Sequence, residues 1–135
     1  GSAAIANAFR DKTETITPVK AEKIADSISV ELPRDGVRAV RAATETGGTY
    51  ITVSDDEILK AIAELGRMGI FAEPAGATAY AGLAAAKAQG ELDAESAVLV
   101  MNTGSGLKDV KAAMQAVEPA PIIEPTLQAL KRLLP

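Results

Sequence analysis

The sequence carries neither cysteine nor histidine. Thiol nucleophiles, disulfides, Cys/His zinc sites, Ser-His-Asp triads and imidazole acid-base catalysis are therefore excluded together. Chemistry must fall to carboxylates, lysines, hydroxyls, backbone groups or a bound cofactor. Two segments concentrate such groups. Glu73-Pro74-Ala75-Gly76-Ala77 sets a carboxylate where an apolar stretch turns into a helix. Backbone N–H groups at such a helix start attract anions, and Gly76 permits close backbone approach. The same pattern also describes a plain capping acid before a first-turn proline. Thr103-Gly104-Ser105-Gly106 offers two hydroxyls and backbone donors after an apolar run, a nest for an anion or a ring heteroatom. It equally describes a turn that needs glycine for backbone geometry, and it lacks the G-x-x-x-x-G-K-[ST] frame of a nucleoside-triphosphate loop. Lys108-Asp109 reads as a solvated lysine beside a helix-start acid. Asp55-Asp56-Glu57 reads as a helix start too, because a hard cation needs more converging oxygens than one such start supplies. No metal site is expected.

The elements that must position these groups alternate along the chain. Residues 3–9 have the composition of a short helix, and a polar run leads through residues 10–20 as loop to Pro18 and beyond. Residues 21–29 fit a short helix through Ile24 and Ile28 or an extended segment through Ile28, Val30 and Leu32. Val37, Val40 and Ala43 repeat at helical spacing until Gly47-Gly48 closes the element. Residues 49–53, dense in β-branched and aromatic types, read as a strand. Ser54-x-x-Glu57 is a capping box opening a helix whose buried stripe is Ile58, Leu59, Ile62 and Leu65. Gly66 and Gly69 end it.

Residues 70–72 then make a buried strand, and a helix of small residues runs over 75–89 to a left-handed stop at Gly90. Residues 97–101 form a continuous apolar strand of the kind covered on both faces. A helix over 109–117, a linker over 118–121 and a terminal helix over 125–134 complete the chain. Strand and helix alternate with short links, which predicts a three-layer α/β unit: a mostly parallel sheet with helices on both faces. Ligand crevices then lie at the carboxyl ends of strands, at residues 73–77 and 102–106.

Composition bounds the class. One domain over residues 1–135 is expected, with the linker and terminal helix at 118–135, burying roughly two-thirds of the unfolded surface. Alanine is about a fifth of the chain and aromatics only 3%, which suits helices packed closely on a sheet. The net charge of -4 supplies no basic footprint for nucleic acid. No apolar run reaches the ~18 to 20 residues of a membrane span, and nothing opens the chain like a signal peptide, so a cytoplasmic protein is expected.

Taken together, Gly69-Ile70-Phe71-Ala72-Glu73-Pro74-Ala75-Gly76-Ala77 and Thr103-Gly104-Ser105-Gly106-Leu107-Lys108-Asp109 resemble the C-terminal part of threonine synthases, fold-type-II enzymes dependent on pyridoxal phosphate. Ala25-Asp26-Ser27-Ile28, Gly47-Gly48 and Val53-Ser54-Asp55-Asp56-Glu57 are similar as well, so the resemblance covers nearly the whole chain. It implies that Thr103, with Gly104, binds the cofactor through a hydroxyl on the pyridine nitrogen, and that Glu73, Ala75 and Gly76 line the active site. It also implies that the Schiff-base lysine, in a Ser-Phe-Lys-Asp-Arg type motif, belongs to an N-terminal part of the same enzyme. Ala8-Phe9-Arg10-Asp11-Lys12 echoes that motif only superficially, since an arginine cannot take the lysine's place. No catalytic residue is therefore expected in these 135 residues, which on their own would be inactive. The implied substrate is O-phosphohomoserine, the implied assembly a homo-oligomer.

Two other functions stay open at this stage. A fold-type-II relative such as a serine or threonine dehydratase or a cysteate synthase would share most of these motifs. A non-catalytic interaction module on the same scaffold would share them without the chemistry.

Overall fold

The computed structural model describes residues 2–93 and 95–134. Six helices are present among them: α1 (Ala4–Arg10), α2 (Gly36–Thr46), α3 (Asp55–Arg67), α4 (Pro74–Gln89), α5 (Val110–Gln115) and α6 (Leu127–Leu133). Their limits follow local rules. The Ser54 hydroxyl accepts from the Glu57 N–H at 3.2 Å while the Glu57 carboxylate accepts from the Ser54 N–H at 2.7 Å, closing the expected capping box of α3. α2 and α4 stop at Gly47 (φ 67°) and Gly90 (φ 74°), the left-handed positions where glycine carries no Cβ penalty. Asp109 caps α5 by accepting from the Ala112 N–H, and Thr126 caps α6 through the Ala129 N–H. Residues 21–29, ambiguous in sequence, hold only a single 3-10 turn at Asp26–Ile28.

α3 and α4 pack together as the centre of the molecule. Ile58, Ala61, Ile62 and Leu65 of α3 meet Ala77 and Ala81 of α4, and Ala25, Ala72 and Ala112 close the cluster. Small residues on α4 let the two helix axes approach, since interaxial distance is set by the side chains at the contact. The second packed pair is α1 and α2. The Phe9 and Tyr50 rings meet edge to face at 5.4 Å, and the Tyr50 hydroxyl donates to the Ala39 carbonyl. Arg41 grips Glu14 with two N–H groups at 2.7 and 2.6 Å, tying the loop of residues 11–20 to α2. That contact holds the Glu14 carboxyl below the usual glutamate range.

The expected parallel sheet is unconfirmed in these residues, and the expected burial needs correction. No parallel ladder forms over residues 49–53, 70–72 and 97–101; among the described residues the one strand-like pairing is an antiparallel bridge between Ala72 and Ser105. The physical reason is that a strand is completed only by a neighbour for its N–H and C=O groups. Residues 49–53 and 97–101 run without such a neighbour, and Leu99 is 87% exposed. The burial expectation is also too high. The chain exposes 9776 Å², whereas a compact monomer of 13.9 kDa exposes about 6,700 Å². Roughly half of the unfolded surface is buried rather than two-thirds. No described helix is long and apolar enough to cross a membrane.

Candidate functional site

Both motifs singled out in the sequence come together at the bridge. The Gly106 N–H donates to the Phe71 carbonyl at 2.9 Å, and the Glu73 N–H donates to the Gly104 carbonyl at 3.0 Å. These two bonds clip the loop of residues 102–106 onto the entry to α4. Pro74 occupies the first helical position, where its missing N–H costs nothing. Thr78 returns its hydroxyl to the Pro74 carbonyl at 2.8 Å.

Glycine at these positions answers a demand for space. Neither Gly104 nor Gly106 has a positive φ, so the conformational account of the turn does not hold. A Cβ on Gly104 would instead overlap the Glu73 carboxyl group, one on Gly106 would overlap the Phe71 ring, and one on Gly76 would overlap the Asn102 side-chain oxygen. Gly76 also brings the first turn of α4 within van der Waals reach of the Gly104 backbone. Two chain segments thirty residues apart thus touch through three glycines.

Glu73 is 6% exposed, the one buried charged residue among those described. It sits at the N-cap position of α4, yet its side chain makes no capping hydrogen bond. The carboxylate lies across Gly104 and meets the Lys108 ammonium at 3.4 Å. The capping-acid account therefore fails on geometry. Lys108, which in sequence looks like a solvated lysine, is the charged partner, with its side chain still 62% exposed. No local pattern announces it, because Lys108 reaches Glu73 only after the 3-10 turn Gly106–Lys108 has folded back.

Of the other sequence-nominated residues, Gly76 is buried, Ala75 and Gly104 are half-buried, and Thr103 is exposed. Ser105 has its hydroxyl engaged by the Leu107 N–H at the start of the 3-10 turn. Thr103 makes no such local side-chain bond among the described residues. Asn102 was not singled out by its sequence context, although its side chain packs on Gly76. A separate cleft of about 720 Å³ lies between α1, residues 23–33 and the extended residues 50–53, and contains none of the five nominated residues.

Comparison with known proteins defines the class. The chain belongs to the family of pyridoxal-phosphate dependent enzymes, whose family model matches residues 1–104. That membership is consistent with an α/β architecture, and the family's cofactor is pyridoxal phosphate. More particularly, the chain is similar to proteins named threonine synthase. One from Methanocaldococcus jannaschii is 38% identical over 99% of this chain and 34% of its own length. Another, from Halalkalibacterium halodurans, is 40% identical over 77% of this chain and 30% of its own length. A third, from Methanosarcina acetivorans, is 32% identical over 99% of this chain and 34% of its own length. The chain thus spans about a third of the length of the curated relatives it matches.

Proposed function

We propose that these residues form the C-terminal part of a threonine synthase, which converts O-phosphohomoserine and water to threonine and phosphate. They would supply one wall of its pyridoxal-phosphate site. The observation that carries this reading is the convergence of the Glu73 turn and the 102–106 loop into one hydrogen-bonded edge. The name threonine synthase borne by relatives supports the reading, and the substrate is the one that the resemblance of the motifs implies.

Several features of the edge fit the cofactor. The glycines at 76 and 104 let the two segments close on each other, which fixes the 102–106 loop that carries Thr103 beside the start of α4. Thr103 is exposed beside this edge, and its hydroxyl is neutral. A neutral hydroxyl can donate a hydrogen bond to a ring nitrogen but cannot, as a carboxylate would, hold a proton there. When bound, the cofactor supplies an electron sink for carbanion character beside the substrate's amino group. In this reading Thr103 orients the ring, Gly104 and Gly76 admit the close contact that sets the wall, and Glu73 and Ala75 line the turn next to it. The chain is one domain, 1–135, whose extended segments at 49–53 and 97–101 would enter a parallel sheet completed by the N-terminal part of the enzyme. The lysine that carries the cofactor would come from that part.

The test is Thr103→Val against Thr103→Ser in the full-length enzyme. Valine keeps the shape and removes one hydrogen bond, which should cost about 1 to 3 kcal/mol of cofactor binding or transition-state stabilisation. Serine should be much milder. Valine and serine behaving alike would remove Thr103 from the site. Turnover of phosphohomoserine, measured beside serine and threonine, separates a synthase from a dehydratase on the same fold.

A further inference from the structure

We infer that Lys108 is a positioning residue for Thr103: through the buried Glu73 carboxylate it holds the 103–106 loop closed on the first turn of α4. The inference rests on the assignment of Thr103 to the ring nitrogen. A carboxylate that is 6% exposed has lost nearly all its water, and it persists there only when another charge or donor set replaces that water. Helix capping does not do so, since the Glu73 side chain makes no capping bond. Its hydrogen-bonding partner among the described side chains is the Lys108 ammonium at 3.4 Å.

The carboxylate cannot move without moving the loop. Glu73 Cγ would lie 2.8 Å from a Cβ on Gly104, and its carboxyl group nearer still, so the side chain rests directly on the Gly104 backbone. Thr103 is the adjacent residue. Lys108 in turn projects from a held base: Ser105 accepts from the Leu107 N–H before it, and Asp109 caps α5 behind it. Two backbone bonds and one ion pair therefore close a ring around Gly104. Without the ammonium, a desolvated carboxylate would turn outward to water, and the support under Gly104 would go with it.

The test uses the full-length holoenzyme with Lys108→Met, Lys108→Arg, Glu73→Gln and Thr103→Val. The readouts are cofactor dissociation constant, the visible circular dichroism band of the bound cofactor, and the urea midpoint of the cofactor-free protein. Lys108→Met and Glu73→Gln should each weaken cofactor binding about tenfold and reduce the dichroic band, with Lys108→Arg restoring most of both. Thr103→Val combined with Lys108→Met should be little worse than Thr103→Val alone, because both act on one contact. A Lys108→Met enzyme that loses urea resistance but keeps affinity and band would overturn the inference. So would fully multiplicative losses in the double variant. If Thr103→Val alone leaves affinity unchanged, the assignment of Thr103 falls and this inference falls with it. If Thr103→Val loses affinity while Lys108→Met does not, only the role of Lys108 is lost.

Discussion

At Gly104 the Cα lies against the Glu73 side chain, and at Gly47 the backbone sits at φ 67° with open space around it. Alanine should fail at the two sites for different reasons. Gly104→Ala forces a methyl group into a buried carboxyl group, an overpacking that should cost about 1 to 3 kcal/mol. Gly47→Ala meets no atom and costs only left-handed backbone strain, about 1 kcal/mol. Urea denaturation of the full-length enzyme should rank them in that order. Cofactor affinity should fall for Gly104→Ala alone, because Gly47 is far from the bridge in the chain and ends α2. Equal losses of affinity at both would mean that the two glycines share a purely conformational role.

The element that stands most clearly on its own chemistry is α3. The Ser54 backbone N–H, and after it the Ser54 hydroxyl, hold the Glu57 carboxyl below the usual glutamate range. The folded helix therefore binds fewer protons than the unfolded chain in the interval between the two titrations. Its contribution is present above the ordinary glutamate pKa of about 4.3, and is lost as pH falls through the lower folded-state value. Ser54→Ala should cost about 1 kcal/mol at neutral pH. That penalty should shrink on acidification below about pH 4, as a protonated Glu57 weakens the bond it accepts from the Ser54 hydroxyl, the backbone N–H being common to both proteins. Denaturation midpoints of both proteins from pH 7 to pH 3 would check this, and a pH-independent gap would show that the Ser54 hydroxyl bond to Glu57 contributes nothing to the charged form.

For the molecule as a whole, the excess of exposed surface is the dominant fact. Leu99, Met101, Leu107, Met114 and Ile122 are all at least two-thirds exposed, and exposed apolar surface on this scale normally marks contact with something else. The segments at 49–53 and 97–101 add free backbone donors and acceptors, which template pairing with other strands. The 135-residue chain in isolation should therefore self-associate. Sedimentation velocity should show mass rising with concentration through the micromolar range, and a tight monomer throughout would count against this account. Burying the same faces against the rest of an enzyme would quench the association.

Residue types and short spacings were enough to locate the helices, because their signals are local. The Ser54-x-x-Glu57 box, the stripe from Ile58 to Leu65, Pro74 at a first turn, and the glycines at 47 and 90 each act within a few residues. They also nominated the Glu73 turn and the 102–106 loop as a pair. Strand pairing was not determined in this way, since a strand's hydrogen bonds are made to whatever lies beside it and a run such as 97–101 carries no name for that neighbour. Nor was the meaning of the glycines at 76, 104 and 106, where the requirement is the absence of a side chain against a segment thirty residues away. The charge partner of Glu73 was hidden for the same reason. Only the folded chain brings Lys108 back across the bridge, because contact distance is a property of the tertiary path and has no counterpart in local sequence.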